Sequence, residues 1–202
     1  MIKKKRTKKS KNFLLDNYKS SLNYIKECKN FIYLIILIFF LSSVLGFFVP
    51  LPEQFQEEIL KMLNEIFEKT EGFNQWQMIK FLFLNNFKSS FFGVIFGVIF
   101  GFFPLISDVV NGYLLGFVAK LVVAEQGFSI LWRLFPHGIF ELPAVFISLG
   151  MGLKLSTFIF EKNKVKSLLK FFWNSLKVFI LVVIPLLIIA AIIEGTFIVF
   201  FG

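Results

Sequence analysis

Apolar positions along the chain gather into five long runs. The first, "FIYLIILIFFLSSVLGFFV" from Phe31 to Val49, carries no charge and is long enough to cross a hydrocarbon core of ~30 Å. Further runs cover about 82–103, 109–125, 134–153 and 179–200, the last interrupted by Pro185. Between the first two runs the pattern changes. In "EQFQEEILKMLNEIFEK", residues 53–69, Phe55, Ile59, Met62, Leu63 and Ile66 recur at helical spacing with charges between them, the mark of an amphipathic helix. Gly72 ends it, and a new helical stretch is expected from about Asn74 into the second span. Pro104 to Asp108 read as a short turn, "EQGFSILWR" as a loop, and "KLSTFIFEKNKVKSLLK" as a basic loop. The predicted fold is all-α and polytopic: five transmembrane helices plus an extracytoplasmic amphipathic helix. Residues 1–30 form a basic segment, and residues 31–202 the transmembrane domain.

Composition strengthens this reading. Of 202 residues, 56% are hydrophobic, 31 are phenylalanine, and the mean hydropathy is +0.75. A soluble domain of this length cannot hide so much apolar surface. The net charge of +9 matters through its distribution. Sixteen of the 22 Lys and Arg fall in residues 1–30 and 154–177, whereas residues 50–88 carry six glutamates against four lysines. The positive-inside rule then places the N-terminus in the cytoplasm and the C-terminus outside a multi-pass cell-membrane protein. The opening "MIKKKRTKKSK" is a solvated tail or, more sharply, an anchor for anionic lipid. Nucleic-acid binding is not expected, because no aromatic platform or fold surrounds the tail. One cysteine, Cys28, and one histidine, His137, exclude an intrachain disulfide, a thiolate cluster and a paired-histidine motif. No metal and no cofactor is expected.

Small residues recur inside the spans. "GVIFGVIFG" spaces Gly93, Gly97 and Gly101 by four, and "NGYLLG" adds Gly112 and Gly116. In lipid, helices associate largely through close backbone approach. Such a glycine zipper serves tight packing within one chain or a homodimer seam.

Ionisable residues inside a membrane require a partner or a wet cavity. Counting helical rise puts Glu141, Lys120 and Glu194 each ~10 Å below the outer surface. His137 lies a turn above Glu141, and Asn85 and Asn86 begin the second span on the same side. Asp108 and Asn111 are expected at the opposite, cytoplasmic end. In "LFPHGIFELPAVF" His137 and Glu141 share a helix face. Pro136 suits a first helical turn, whereas Pro143 frees the carbonyl of Ile139 and hinges the helix. Two readings follow: an internally neutralised network with Lys120 against Glu141 or Glu194, or a site for a proton, an ion or a lipid headgroup. A hydrolase is not supported, since Ser148 stands in no nucleophile context and His137 has no nucleophile to activate.

The Asn85–Asn86 pair, the glycine-rich second span, Asn111–Gly112 with Gly116, and Pro136-His137-Gly138 leading to Glu141-Leu142-Pro143 together resemble the stage II sporulation protein M (SpoIIM) family. The resemblance covers about residues 30 to 202. It implies an integral membrane protein. In spore-forming bacteria the family's namesake assembles with peptidoglycan-degrading partners in engulfment, but no general biochemical activity comes with the family.

The sequence therefore leads first to a non-catalytic membrane scaffold or assembly protein. Its amphipathic helix 53–69 would recruit a membrane or extracytoplasmic partner, and its polar cluster would fix helix register. The alternative is a transporter or channel-like protein with its site at His137, Glu141, Lys120 and Glu194.

Overall fold

The computed structural model describes the backbone of residues 2–99, 101–129, 131 and 135–201, and the side chains of residues 13, 15–99, 101–129, 131 and 138–200. The described residues are mostly helical, joined by short turns, and include no strand. In chain order the α-helices are α1 (Ile2–Glu27), α2 (Lys29–Phe48), α3 (Glu53–Thr70), α4 (Gln75–Ile95), α5 (Phe102–Gln126), α6 (Phe135–Ser156), α7 (Lys164–Val178) and α8 (Ile184–Phe201). Five stretches are long and apolar enough to cross a membrane: 29–48, 75–98, 102–126, 138–160 and 164–200. The chain is an all-α, multi-pass membrane protein.

Three local expectations change. Pro104 to Asp108 do not form a turn, because α5 already begins at Phe102. The reversal lies earlier, through a 3-10 turn at Phe96–Val98 and Gly101 at φ +73°, a left-handed conformation natural only to glycine. Pro104 then falls in the first turn of α5, where its missing N–H costs nothing. The basic stretch after α6 is not a loop either; α7 forms there. It runs through a π-helical segment at Phe179–Val183 into α8, and that bulge absorbs the ring of Pro185. Residues 2–27 also form a helix rather than an irregular tail.

α6 is the central helix: 56% of its spanning window is buried, against 22–33% for the other four. α2 and α5 run side by side at backbone contact. A Cβ on Gly112 would meet the carbonyl of Phe39, one on Gly116 that of Ser43, and one on Gly46 that of Tyr113. Across the bundle a Cβ on Gly97 would meet the backbone of Gly152, and Gly93 lies against the Leu149 side chain. Gly101 is held against Leu153 and Ser156. The Gly93–Gly97 face is therefore occupied by α6 of the same chain and is not an open seam.

α4 starts on a capping box. Asn74 Oδ1 accepts from the Gln77 amide at 3.0 Å, and Gln77 Oε1 accepts from the Asn74 amide at 2.9 Å, satisfying two of the donors a helix start leaves free. At the other end of the bundle, α1 and α7 pack together. The Tyr24 hydroxyl donates to the Phe171 carbonyl at 3.3 Å and accepts from Ser175 Oγ at 3.3 Å. Lys154 Nζ sits 4.5 Å from the Phe171 ring centroid and 5.8 Å from that of Phe31, so its charge rests on aromatic faces. This end also carries the α4–α5 turn and is called the α1–α7 end below; the opposite end is the α3 end.

Cys28 is fully buried at the junction of α1 and α2, and burial pushes its thiol up to about 12. Only the thiolate attacks a maleimide. A water-soluble maleimide at pH 8 should therefore leave the folded protein unlabelled and modify Cys28 fully once SDS and heat unfold it; labelling of the native protein would show that α1 undocks.

Candidate functional site

A cleft within the bundle is lined by residues of α2, α4, α5, α6 and α8. Its volume is about 590 Å³. On α5 the lining residues Asn111, Leu115 and Ala119 recur every four positions, a single helical stripe. On α4 the stripe is Asn85, Asn86 and Ser89, and on α2 it is Phe39, Phe40 and Ser43. α6 contributes Glu141 and α8 contributes Glu194.

The acidic pair is the centre of the site. The Glu141 carboxyl interacts with the side chains of Asn86 and Glu194, three groups brought from three helices. One oxygen of Glu194, Oε2, is buried and has no hydrogen-bond partner among the described residues. The placement follows from the fold. α6 is central, so the face carrying Glu141 points into the bundle, and Pro143 inside that helix frees the carbonyl of Ile139 from its helical bond. Ile139 itself lines the cleft. On α8, Gly195 allows close approach to Ile79 of α4, and Thr196 Oγ1 accepts from Gln75 Nε2 at 2.9 Å. These contacts fix the face that turns Glu194 inward.

Sequence depth counting grouped residues that the structure partly separates. Glu141, Glu194, Asn85 and Asn86 meet in one cleft. Lys120 does not join them: it is exposed on α5 beside the cleft-lining Ala119, and among the described residues no ion pair links it to either glutamate. The internally neutralised arrangement with Lys120 is thus not what α5 presents. The backbone of His137 and Pro136 lies in the first turns of α6, but their side chains fall outside the described residues. Asn111, expected at the far end with Asp108, lines the cleft instead, its Nδ2 donating to the Ser107 carbonyl at 2.7 Å and to Ser107 Oγ at 3.2 Å. Asp108 is fully buried and is not part of the lining.

Ser43 and Ser89 went unread in the sequence. Each interrupts an apolar helix, and the spacing of Ser89 from Asn85 and Asn86 was the available signal. Ser148 is fully buried, its Oγ donating to the Ala144 carbonyl at 2.9 Å, so it offers no free nucleophile. No group of three or more His, Cys, Asp and Glu side chains arranged for a metal occurs among the described residues.

The model of one protein family, described as stage II sporulation protein M, matches residues 35–197. The chain belongs to the SpoIIM family. No curated protein and no solved structure matches it. The matched region contains the whole SpoIIM cleft and both of its glutamates. All of α1 precedes it, so the basic helix lies outside the shared part.

Proposed function

We propose that this SpoIIM-family chain is a non-catalytic membrane protein that binds a small cation, a proton included, in its intramembrane cleft and passes it across the bilayer. The meeting of Glu141 and Glu194 in the cleft carries this reading. Two carboxylates ~4 Å apart repel by about 4 kcal/mol even at an effective dielectric of ~20. Such a pair is stable in a membrane only when it shares a proton or holds a cation. Asn86 can donate to the pair without adding charge, and the apolar walls from Phe39, Phe40 and Leu115 keep bulk water from screening it. By the positive-inside rule the α1–α7 end faces the cytoplasm, and the cleft lies toward the outside.

One observation favours the assembly role as a second reading. α3 has an amphipathic pattern yet buries no residue in the chain, leaving Phe55, Met62, Ile66 and Phe67 exposed. That surface suits a membrane or extracytoplasmic partner, and the two roles are compatible in one molecule.

Liposome flux separates them. The purified protein should dissipate an imposed cation or proton gradient, and Glu141→Gln should lower the rate by roughly tenfold or more without loss of folding. Wild-type protein that carries nothing, together with an unfolded Glu141→Gln variant, would leave the cluster a packing device and the assembly role alone standing.

A further inference from the structure

Below the cleft lies a second acidic group. Asp108 is fully buried in the second turn of α5, and neither of its carboxyl oxygens has a hydrogen-bond partner among the described residues. Its position relative to the cleft is set by helical geometry. Leu115 and Ala119, seven and eleven residues on, share its face and line the cleft. Asn111, also in the lining, is one turn away, or ~4.5 Å along the axis. From α4, Ser90 stands one turn past Asn86; it too is fully buried, with a hydroxyl that lacks a partner. Two orphaned polar groups thus continue the polar column of the cleft toward the α1–α7 end. Along α5 only Phe102–Ser107, ~9 Å of helix, lie between Asp108 and the start of the helix at that end.

Buried polar groups in folded proteins are almost always satisfied, and an intramembrane carboxyl is costly. A structural aspartate would be expected to show a hydrogen-bond network; Asp108 shows none among the described residues. A metal cation at this depth needs several oxygen ligands, and among the described residues no group of three or more His, Cys, Asp and Glu side chains gathers to supply them. A proton needs only one.

We propose that Asp108 is the second proton-carrying station of the route whose first station is the Glu141–Glu194 pair, so that the ion moved is a proton. The inference rests on the transport reading above. In the step, an O–H bond breaks at the glutamate pair, which gains one negative charge, and an O–H bond forms on the Asp108 carboxylate, which becomes neutral. The pair then regains a proton from the cleft, and Asp108 releases its own at the α1–α7 end. One proton crosses per cycle, with no redox change, driven by the proton gradient. Ser90, on the facing helix at the base of the cleft, is placed to relay between the stations.

The test uses the full chain in phosphatidylcholine–phosphatidylglycerol liposomes loaded with a pH-sensitive dye, with potassium and valinomycin compensating charge. Wild-type protein is expected to acidify the lumen, Asp108→Asn to lower that rate by roughly tenfold or more, and Asp108→Glu to retain part of it. An Ala119→Cys label, read with a water-soluble maleimide, should report the same open cleft in the wild-type and Asp108→Asn backgrounds, since Cys28 is fully buried. Wild-type proton flux in Asp108→Asn overturns the assignment while leaving the transport reading intact. Sodium flux without proton flux does the same. Equal losses in the Asn and Glu variants, with altered Ala119→Cys labelling, make Asp108 structural and also overturn it. A wild-type protein that moves no ion overturns both readings.

Discussion

Replacing Gly116 by alanine should lower the melting temperature of the detergent-solubilised protein by about 10 °C, while Gly138→Ala should leave it unchanged or raise it. The two glycines are both helical, on α5 and α6, and alanine is the better helix former by ~1 kcal/mol at either. Their surroundings decide the sign. A Cβ on Gly116 would run into the carbonyl of Ser43 and the amide of Phe47, both backbone atoms of α2. Backbone cannot rotate away as a side chain can, so the helices must separate along the seam that Gly112 and Gly46 also hold closed. Overpacking of this kind costs ~1–3 kcal/mol and more against rigid neighbours. In lipid no hydrophobic drive compensates for lost contact between helices. A net loss of about 3 kcal/mol corresponds to roughly 6–12 °C for a chain of this size. Among the described residues a Cβ on Gly138 meets only the Leu142 side chain, at 3.6 Å, an ordinary contact, so the helix-propensity gain decides the sign. Thermal denaturation followed by fluorescence-detected gel filtration reads both variants. Identical melting of Gly116→Ala and wild type would show that α2 and α5 are not at backbone contact. A Gly116→Ala protein that melts normally but loses a dimer peak would reassign the glycines to a seam between chains.

The five spans were legible because each apolar run exceeds what any soluble helix of that length buries. What the runs could not give was the direction each face points. Lys120 and Glu141 lie at similar depth, and depth counting paired them. On α5, however, Lys120 sits 100° around the helix from Ala119, enough to move it out of the cleft that Ala119 lines. Glu141 and Glu194 meet for a reason invisible in either segment: α6 is central, so both α4 and α8 pack on it. α1 and α7 were hidden by their lysines. Their low mean hydropathy reads as solvated chain, although Ser21 and Tyr24 in α1 with Cys28 just past its end, and Phe171, Ser175 and Val178 in α7, recur at helical spacing and are all buried. A short apolar stripe in a basic segment is easily passed over when the neighbouring spans are so much stronger. The turn before α5 was misplaced for a similar reason. Proline draws attention as a breaker, yet Gly101 makes the reversal and Pro104 begins the helix.

Tyr24→Ala should release α1 from α7 and expose the basic helix to protease, whereas Tyr24→Phe should do so only slightly. This contact lies at the α1–α7 end, among the lysines of both helices, so exclusion of water contributes to it as it does in soluble cores. Tyr24 is 3% exposed and Phe171 5%. Truncating a buried aromatic to alanine costs ~3–5 kcal/mol, through lost transfer energy and the cavity left behind. Removing only the hydroxyl forfeits the bonds to the Phe171 carbonyl and Ser175, worth about 1 kcal/mol, with Ser175 left buried and short of a partner. Trypsin reports the difference, because Lys19 and Lys26 flank the contact and cleavage in the docked helix requires local opening. When opening is fast relative to cleavage, the rate follows the open population. A cost of ~3 kcal/mol therefore predicts cleavage more than about a hundredfold faster in Tyr24→Ala, against roughly fivefold in Tyr24→Phe. The spans should stay folded in both variants, since α2 is held by its glycine seam with α5. Equal, slow cleavage of all three proteins would mean that α1 is held by contacts other than Tyr24. Equal, fast cleavage would mean that α1 does not dock on α7 in solution.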